Sequence, residues 1–230
     1  MPVLPHVYGM PGLRDEKRAN HKTVFVSPDW MYLPQSVIID GAKSRDPGNG
    51  TITVLRPGVL MGLITSSQKY APSVIGSLQS AAASAATSIT VTAAEATELV
   101  RRVGSTGTIT LTGPPTSAGT VATFTETYSA VNTTTGVITC SALNAALVAG
   151  SLVSANDGSE TPKTLIPDGY GIQVSSDGTD LDVEFDMLPV GGIVDDGELL
   201  PWPSDTSLRT WIREKLSTVS GGKFVFGDQY

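Results

Sequence analysis

Two histidines, one cysteine and 22 carboxylates are the side chains from which this chain could assemble a reactive site. Hydrolytic catalysis needs a base beside its nucleophile, oriented by a third group. Both histidines, His6 and His21, fall in the proline-broken start of the chain, which argues against a triad. A three-histidine metal site needs one histidine more than the sequence holds. Cys140 is alone, so neither an intrachain disulfide nor a cysteine-based zinc cluster can form. Its flanks, Val137-Ile138-Thr139 and Ser141-Ala142-Leu143, suit a small buried strand residue.

Paired carboxylates serve glycosidases and calcium sites alike. Asp177-Gly178-Thr179-Asp180-Leu181-Asp182 is superficially like a calcium loop. It lacks the glycine and the bidentate glutamate at the offsets such a loop requires. Asp195-Asp196-Gly197 reads as a turn, and no phosphate-binding loop occurs. The expectation is a protein that is not an enzyme and uses no cofactor or metal. Of the tryptophans, Trp211 falls on the apolar face of a helix and reads as core. Trp30 and Trp202 adjoin prolines or polar turns and are candidate interface anchors.

The surface that must carry these residues is poor in ions. Charged residues make up 16% of the chain, against roughly 25% in a typical domain. The net charge is −7, unevenly placed. Residues 1–76 hold 8 basic and 5 acidic side chains, a balance of +3, while residues 168–198 hold 9 acidic and no basic ones. Phosphate binding needs clustered Lys and Arg, so no nucleic-acid partner is expected. No apolar run approaches the ~18 residues of a membrane span. The start, MPVLPHVYGMPG, does not look like a signal peptide, which predicts a soluble protein made in a cytoplasm.

The elements follow from period and punctuation. Residues 51–55 alternate as a half-buried strand does, Arg56-Pro57-Gly58 breaks the ladder, and 59–65 resumes it before a turn at 69–72. From 77 the composition shifts. An Ala/Ser-rich stretch precedes a strand near 89–92, a helix at 93–103 stopped by Gly104, and three Thr-rich hairpin strands at 108–112, 121–128 and 137–141. Residues 77–163 thus have elements enough for an inserted domain. The scaffold resumes with strands at 170–174 and 181–185, where Leu181, Val183 and Phe185 should face inward and Asp180, Asp182, Glu184 and Asp186 outward. A helix over 204–216, capped at Ser204, and a last strand at 224–226 complete the chain. Residues 1–29 carry apolar side chains between prolines, a composition suited to ordering on a partner, and 23–26 could add to a sheet edge.

Three segments carry a resemblance. LRPGVLMG at 55–62, KYAP at 69–72 and ELLPWP at 198–203, the last followed by a helix and an apolar strand, resemble the lambda-type bacteriophage head decoration proteins. The likeness covers roughly 23–76 and 165–230 and leaves the insertion aside. It implies a mainly β, α+β fold: a small β-barrel or β-tulip-like decoration domain with one or two short helices, interrupted by a small α+β insertion. The domains would be a capsid-binding arm at 1–29, a discontinuous scaffold at 30–76 plus 164–230, and an outward-projecting insertion at 77–163. The implied role is capsid cement on the outer surface of the virion, assembled in the host cytoplasm. It would act as a homotrimer on the expanded shell, bound to the major capsid protein, with Val7, Tyr8, Val24, Phe25 and Val26 in the pairing arm and Trp30, Leu200 and Trp202 at the trimer or capsid interface. The alternative is a surface-adhesion or carbohydrate-binding module that meets a host-surface glycan through the insertion.

Overall fold

The computed structural model of the chain describes residues 22–26, 31–32, 36–176, 178–186, 188–218 and 223–227. The fold is mainly β, with curled, half-barrel sheets and, among the described residues, two α-helices, α1 (Ala93–Arg102) and α2 (Thr206–Thr218).

Local pairing builds the insertion. Gly107–Gly113 and Ala122–Asn132 form one long hairpin, in register from Gly107 opposite Tyr128 to Gly113 opposite Ala122. Val137–Cys140 folds back on the second of these strands across a tight turn. Asn132 makes that turn by accepting the N–H groups of Thr134 and Thr135 on its side chain. Ser88–Thr90, Leu152–Ala155 and Gly76–Ser77 complete a six-stranded antiparallel sheet. α1 lies across it, started by a reciprocal cap: Thr92 accepts from the Glu95 N–H and Glu95 from the Thr92 N–H. Ala96 and Leu99 of α1 join Ile109, Leu111, Tyr128 and Ile138 in a core that belongs to this unit. Cys140 is buried in it, as the sequence suggested.

The scaffold is assembled from both ends of the chain. Its five-stranded sheet runs Thr164–Leu165, Leu60–Leu63, Tyr70–Pro72, Val37–Ile39, Val183–Phe185. The chain leaves this sheet after Tyr70–Pro72 and returns as Thr164–Leu165, with Thr164 opposite Met61 and Leu165 opposite Leu60. Val54–Leu55 pairs with Ile172–Gln173 in the same fashion. Only Val54 and Leu55 of the expected 51–55 strand are extended in a ladder, because 51–53 turn to place the Asp46 side chain on Arg56. Leu181 is 40% exposed and outside any strand, which overturns its inward placement. A short hairpin, Ser175–Ser176 with Thr179–Asp180, comes first, and the strand paired with Val37–Ile39 begins two residues later than expected, at Val183.

A third sheet of Met31–Tyr32, Pro189–Asp195 and Lys223–Gly227 stands under α2. Leu208, Ile212 and Leu216, one face of α2, are fully buried there with Val24, Phe25, Val194 and Phe224. Leu152 of the insertion enters the same cluster, so the insertion and the scaffold share packing. Residues 156–163 belong by contact to the scaffold edge: Thr65 donates to the Asp157 carbonyl at 2.9 Å and Lys163 to the Met61 carbonyl at 2.9 Å.

Candidate docking surface

Few of the expected site residues meet in one place. Val7, Tyr8 and Trp30 lie outside the described residues, as do His6 and His21. Among the described residues, no group of three His, Cys, Asp or Glu is arranged to hold a metal ion.

Val24 and Phe25 require a correction as partner-binding residues: they are 0% and 3% exposed, in the chain's own core. The backbone explains it. Val24 accepts from the Asp195 N–H, Val26 donates to the Ile193 carbonyl, and Phe25 stands opposite Val194. Asp168 fastens the segment from the other side, accepting the Val24 N–H at 2.5 Å and the Phe25 N–H at 3.0 Å. The strand 24–26 does add to a sheet edge, but the edge is its own.

Leu200 and Trp202 are half-buried pieces of the scaffold. Leu200 packs on the cluster of Ile39, Leu55 and Met61, and its N–H donates to the Gly58 carbonyl at 2.8 Å. The Trp202 ring is covered by the Arg209 and Arg213 guanidinium groups at 5.5 and 5.6 Å.

What the third sheet leaves uncovered is more informative. Val26 stands opposite Ile193, and Ile193 is in register with Val225. These three β-branched side chains are 60%, 41% and 58% exposed, in one row across three strands. Met31, opposite Gly191 and 48% exposed, continues the surface. Their strand neighbours Phe25, Val194 and Phe224 point the other way and are buried. Among the described residues Lys223–Gly227 ends the sheet order, so there the apolar row runs out to an edge strand. Exposed apolar rows on such strands are interaction sites or aggregation hazards.

The sequence held a signal for this surface. Phe224, Val225 and Phe226 are apolar at three consecutive positions, so a strand there cannot have a polar face. Ile193 gave none, because its exposure depends on which strand lies beside it.

The acidic run is also resolved by geometry. Asp182 receives the Lys69 ammonium at 2.6 Å and the Gly41 N–H, Glu198 receives Lys22 at 2.9 Å, and Asp180 and Asp196 pair with Arg45 and Arg213. The Lys69 partnership holds the Asp182 carboxyl below its usual range and raises the lysine. Three of these cations come from the basic first third of the chain. The opposite charges of the two segments therefore answer each other within the scaffold.

No family model, characterised protein or solved structure matches this chain.

Proposed function

We propose that this chain is a phage head decoration protein. In this reading it binds the expanded capsid as a homotrimer and stabilises the shell against the pressure of packaged DNA. The observation that carries the reading is the exposed Val26–Ile193–Val225 row at a sheet edge. Its occupant would be the major capsid protein. Fully burying an exposed Val or Ile contributes about 1.5–3 kcal/mol; these side chains are already about half buried and would contribute a part of that each, and many copies on a shell share the load by avidity. A clip that binds only the mature lattice stabilises it by mass action. The segments that carry the resemblance are also adjacent in space: Leu60 donates to the Leu200 carbonyl at 3.1 Å, and Leu200 to Gly58.

The test is cosedimentation with expanded and unexpanded heads, together with a mass measurement of the free protein. Saturable binding to expanded heads alone, by a trimer, is the expected result. Ile193→Asp with Val225→Asp should weaken it tenfold or more, about 1.4 kcal/mol per decade, while leaving the melting temperature unchanged. A monomer that ignores both kinds of head would end the proposal.

A further inference from the structure

An open groove of about 460 Å³ runs between the tip of the insertion's long hairpin and the outer side of α2. Clefts that take small molecules span about 300–1,000 Å³. Trp211 forms one wall and Thr120 stands on the hairpin side, with Thr206, Ser207, Thr210 and Glu214 along the helix. The lining therefore offers one broad indole, four hydroxyl groups and one carboxylate, with the Lys215 ammonium 5.7 Å from the indole ring.

That chemistry excludes most ligand classes. An anion would be drawn to the N-terminus of α2, where N–H groups and the helix dipole favour negative charge. Asp205 already occupies that end, accepting the Ser207 N–H at 2.9 Å and the Leu208 N–H at 3.2 Å. Glu214 adds a second negative charge further along the groove. A greasy ligand would need an enclosed apolar lining, and here the indole is the one large apolar surface in an open groove. A ligand with a flat C–H face and a rim of hydroxyl groups fits what remains: a pyranose stacks by its C–H face on the ring and exchanges hydrogen bonds with the hydroxyls.

Both walls are held in place before any ligand arrives. Trp211 packs against the core under α2, and the Lys215 ammonium, 5.7 Å from its ring, swings aside for a ligand that stacks on that face. The hairpin wall is lashed to the helix by the other oxygen of Asp205, which accepts the Ala118 N–H at 3.2 Å and the Ser117 hydroxyl at 3.3 Å. Preorganised walls of this kind reduce the ordering that binding would otherwise require.

We propose that this groove binds a neutral carbohydrate, with a pyranose stacked on Trp211 and its hydroxyl groups held by Thr120, Thr210 and Glu214. The site is independent of the Val26–Ile193–Val225 surface. It uses both the insertion and α2, so the insertion alone would not contain it.

Saturation-transfer NMR on the full chain tests it, without heads present. The probes are methyl glycosides of glucose, galactose, mannose, N-acetylglucosamine and rhamnose, at about 10 mM to exceed a millimolar Kd, with glucose 6-phosphate as the anionic comparator. At least one neutral glycoside should receive saturation on its ring C–H protons, more strongly than the phosphate. Trp211→Phe should weaken its binding about tenfold. Because Trp211 also packs inward, a Thr120→Val, Thr210→Val pair, which removes two rim hydroxyls and the exposed Thr210 bond to the Thr206 carbonyl, should weaken binding similarly with little change in melting temperature. Silence from every neutral glycoside overturns the proposal. So does preference for the phosphate, or binding that survives the threonine pair.

Discussion

Gly58 carries two constraints that a side chain could not meet together. Its φ is +88°, the left-handed region, and a Cβ placed on it would lie 2.1 Å from the Glu198 carbonyl oxygen. The first costs a non-glycine residue about 1–2 kcal/mol. The second presses on backbone, which cannot rotate away as a side chain can. That backbone is the tail segment whose Leu200 pairs with 58–60, so the clash falls where the late segment joins the early one. Gly58→Val should therefore lose on the order of 3 kcal/mol, seen as a lower urea midpoint with an unchanged slope. If the protein is the proposed trimer, its assembly should fall as well. A variant as stable as the parent would mean that the tail is not held at this bend.

α2 shows how one element gathers distant parts of the chain. The sequence suggested Ser204 as its cap. Asp205 caps it instead, because a carboxylate one residue later reaches both the Ser207 and Leu208 N–H groups and, with its second oxygen, the hairpin at 117–118. Burial pushes this carboxyl up, but the donors around it outweigh burial and hold it below the ordinary aspartate range. A folded pKa below the unfolded value means that the stabilisation is complete above the unfolded value, near 3.9. It is lost as pH falls through the folded one. Asp205→Ala should then cost about 1–2 kcal/mol at pH 7, and the gap to the parent should narrow in melts at about pH 2–3. A gap as wide in acid as at neutrality would show that the carboxylate's charge contributes nothing. The helix itself was legible from Leu208, Ile212 and Leu216, since a 3.6-residue period needs only local sequence. Its second task was not, because no pattern in 204–216 mentions residues 117 and 118.

At the scale of the molecule the same division holds. Turn residues and alternation marked the hairpins of the insertion, α1 and the return of the scaffold near 165, all of which depend on neighbours in sequence. The fate of Val24 and Phe25 and the exposure of Ile193 did not show, because they depend on which strand pairs with Pro189–Asp195. The charge asymmetry was visible as numbers, yet its meaning, Lys22, Arg45 and Lys69 answering Glu198, Asp180 and Asp182, needed the fold. How far the insertion moves as its own body is decided by Arg102 at the end of α1. Its side chain is 1% exposed and donates to the Pro72 carbonyl at 2.6 Å, to Asp157 at 3.2 Å and to Ser159. Burial pushes the Asp157 carboxyl up, and Arg102 together with Ser159 overcomes this and holds it below its usual range. α1 is gripped from the scaffold in return, since Lys43 donates to the Arg102 carbonyl at 2.7 Å and Arg101 to the Ala42 carbonyl. With a shared apolar cluster and this buried pair, the two units should unfold in one transition. Arg102→Met keeps the bulk and removes every side-chain donor, leaving Asp157, 25% exposed, without its cation; breaking a fully buried pair costs about 3–5 kcal/mol, and this half-buried one should cost less. The loss falls on the seam, because the insertion core of Leu99, Ile109, Leu111 and Tyr128 is packed on its own sheet and keeps its contacts. Calorimetry of the variant should therefore resolve two transitions where the parent shows one, and amide exchange should rise in 60–72 and 156–166 before it rises in 107–132. A variant that still melts in a single step at a lower temperature would place the coupling in the Leu152 cluster and not in the arginine.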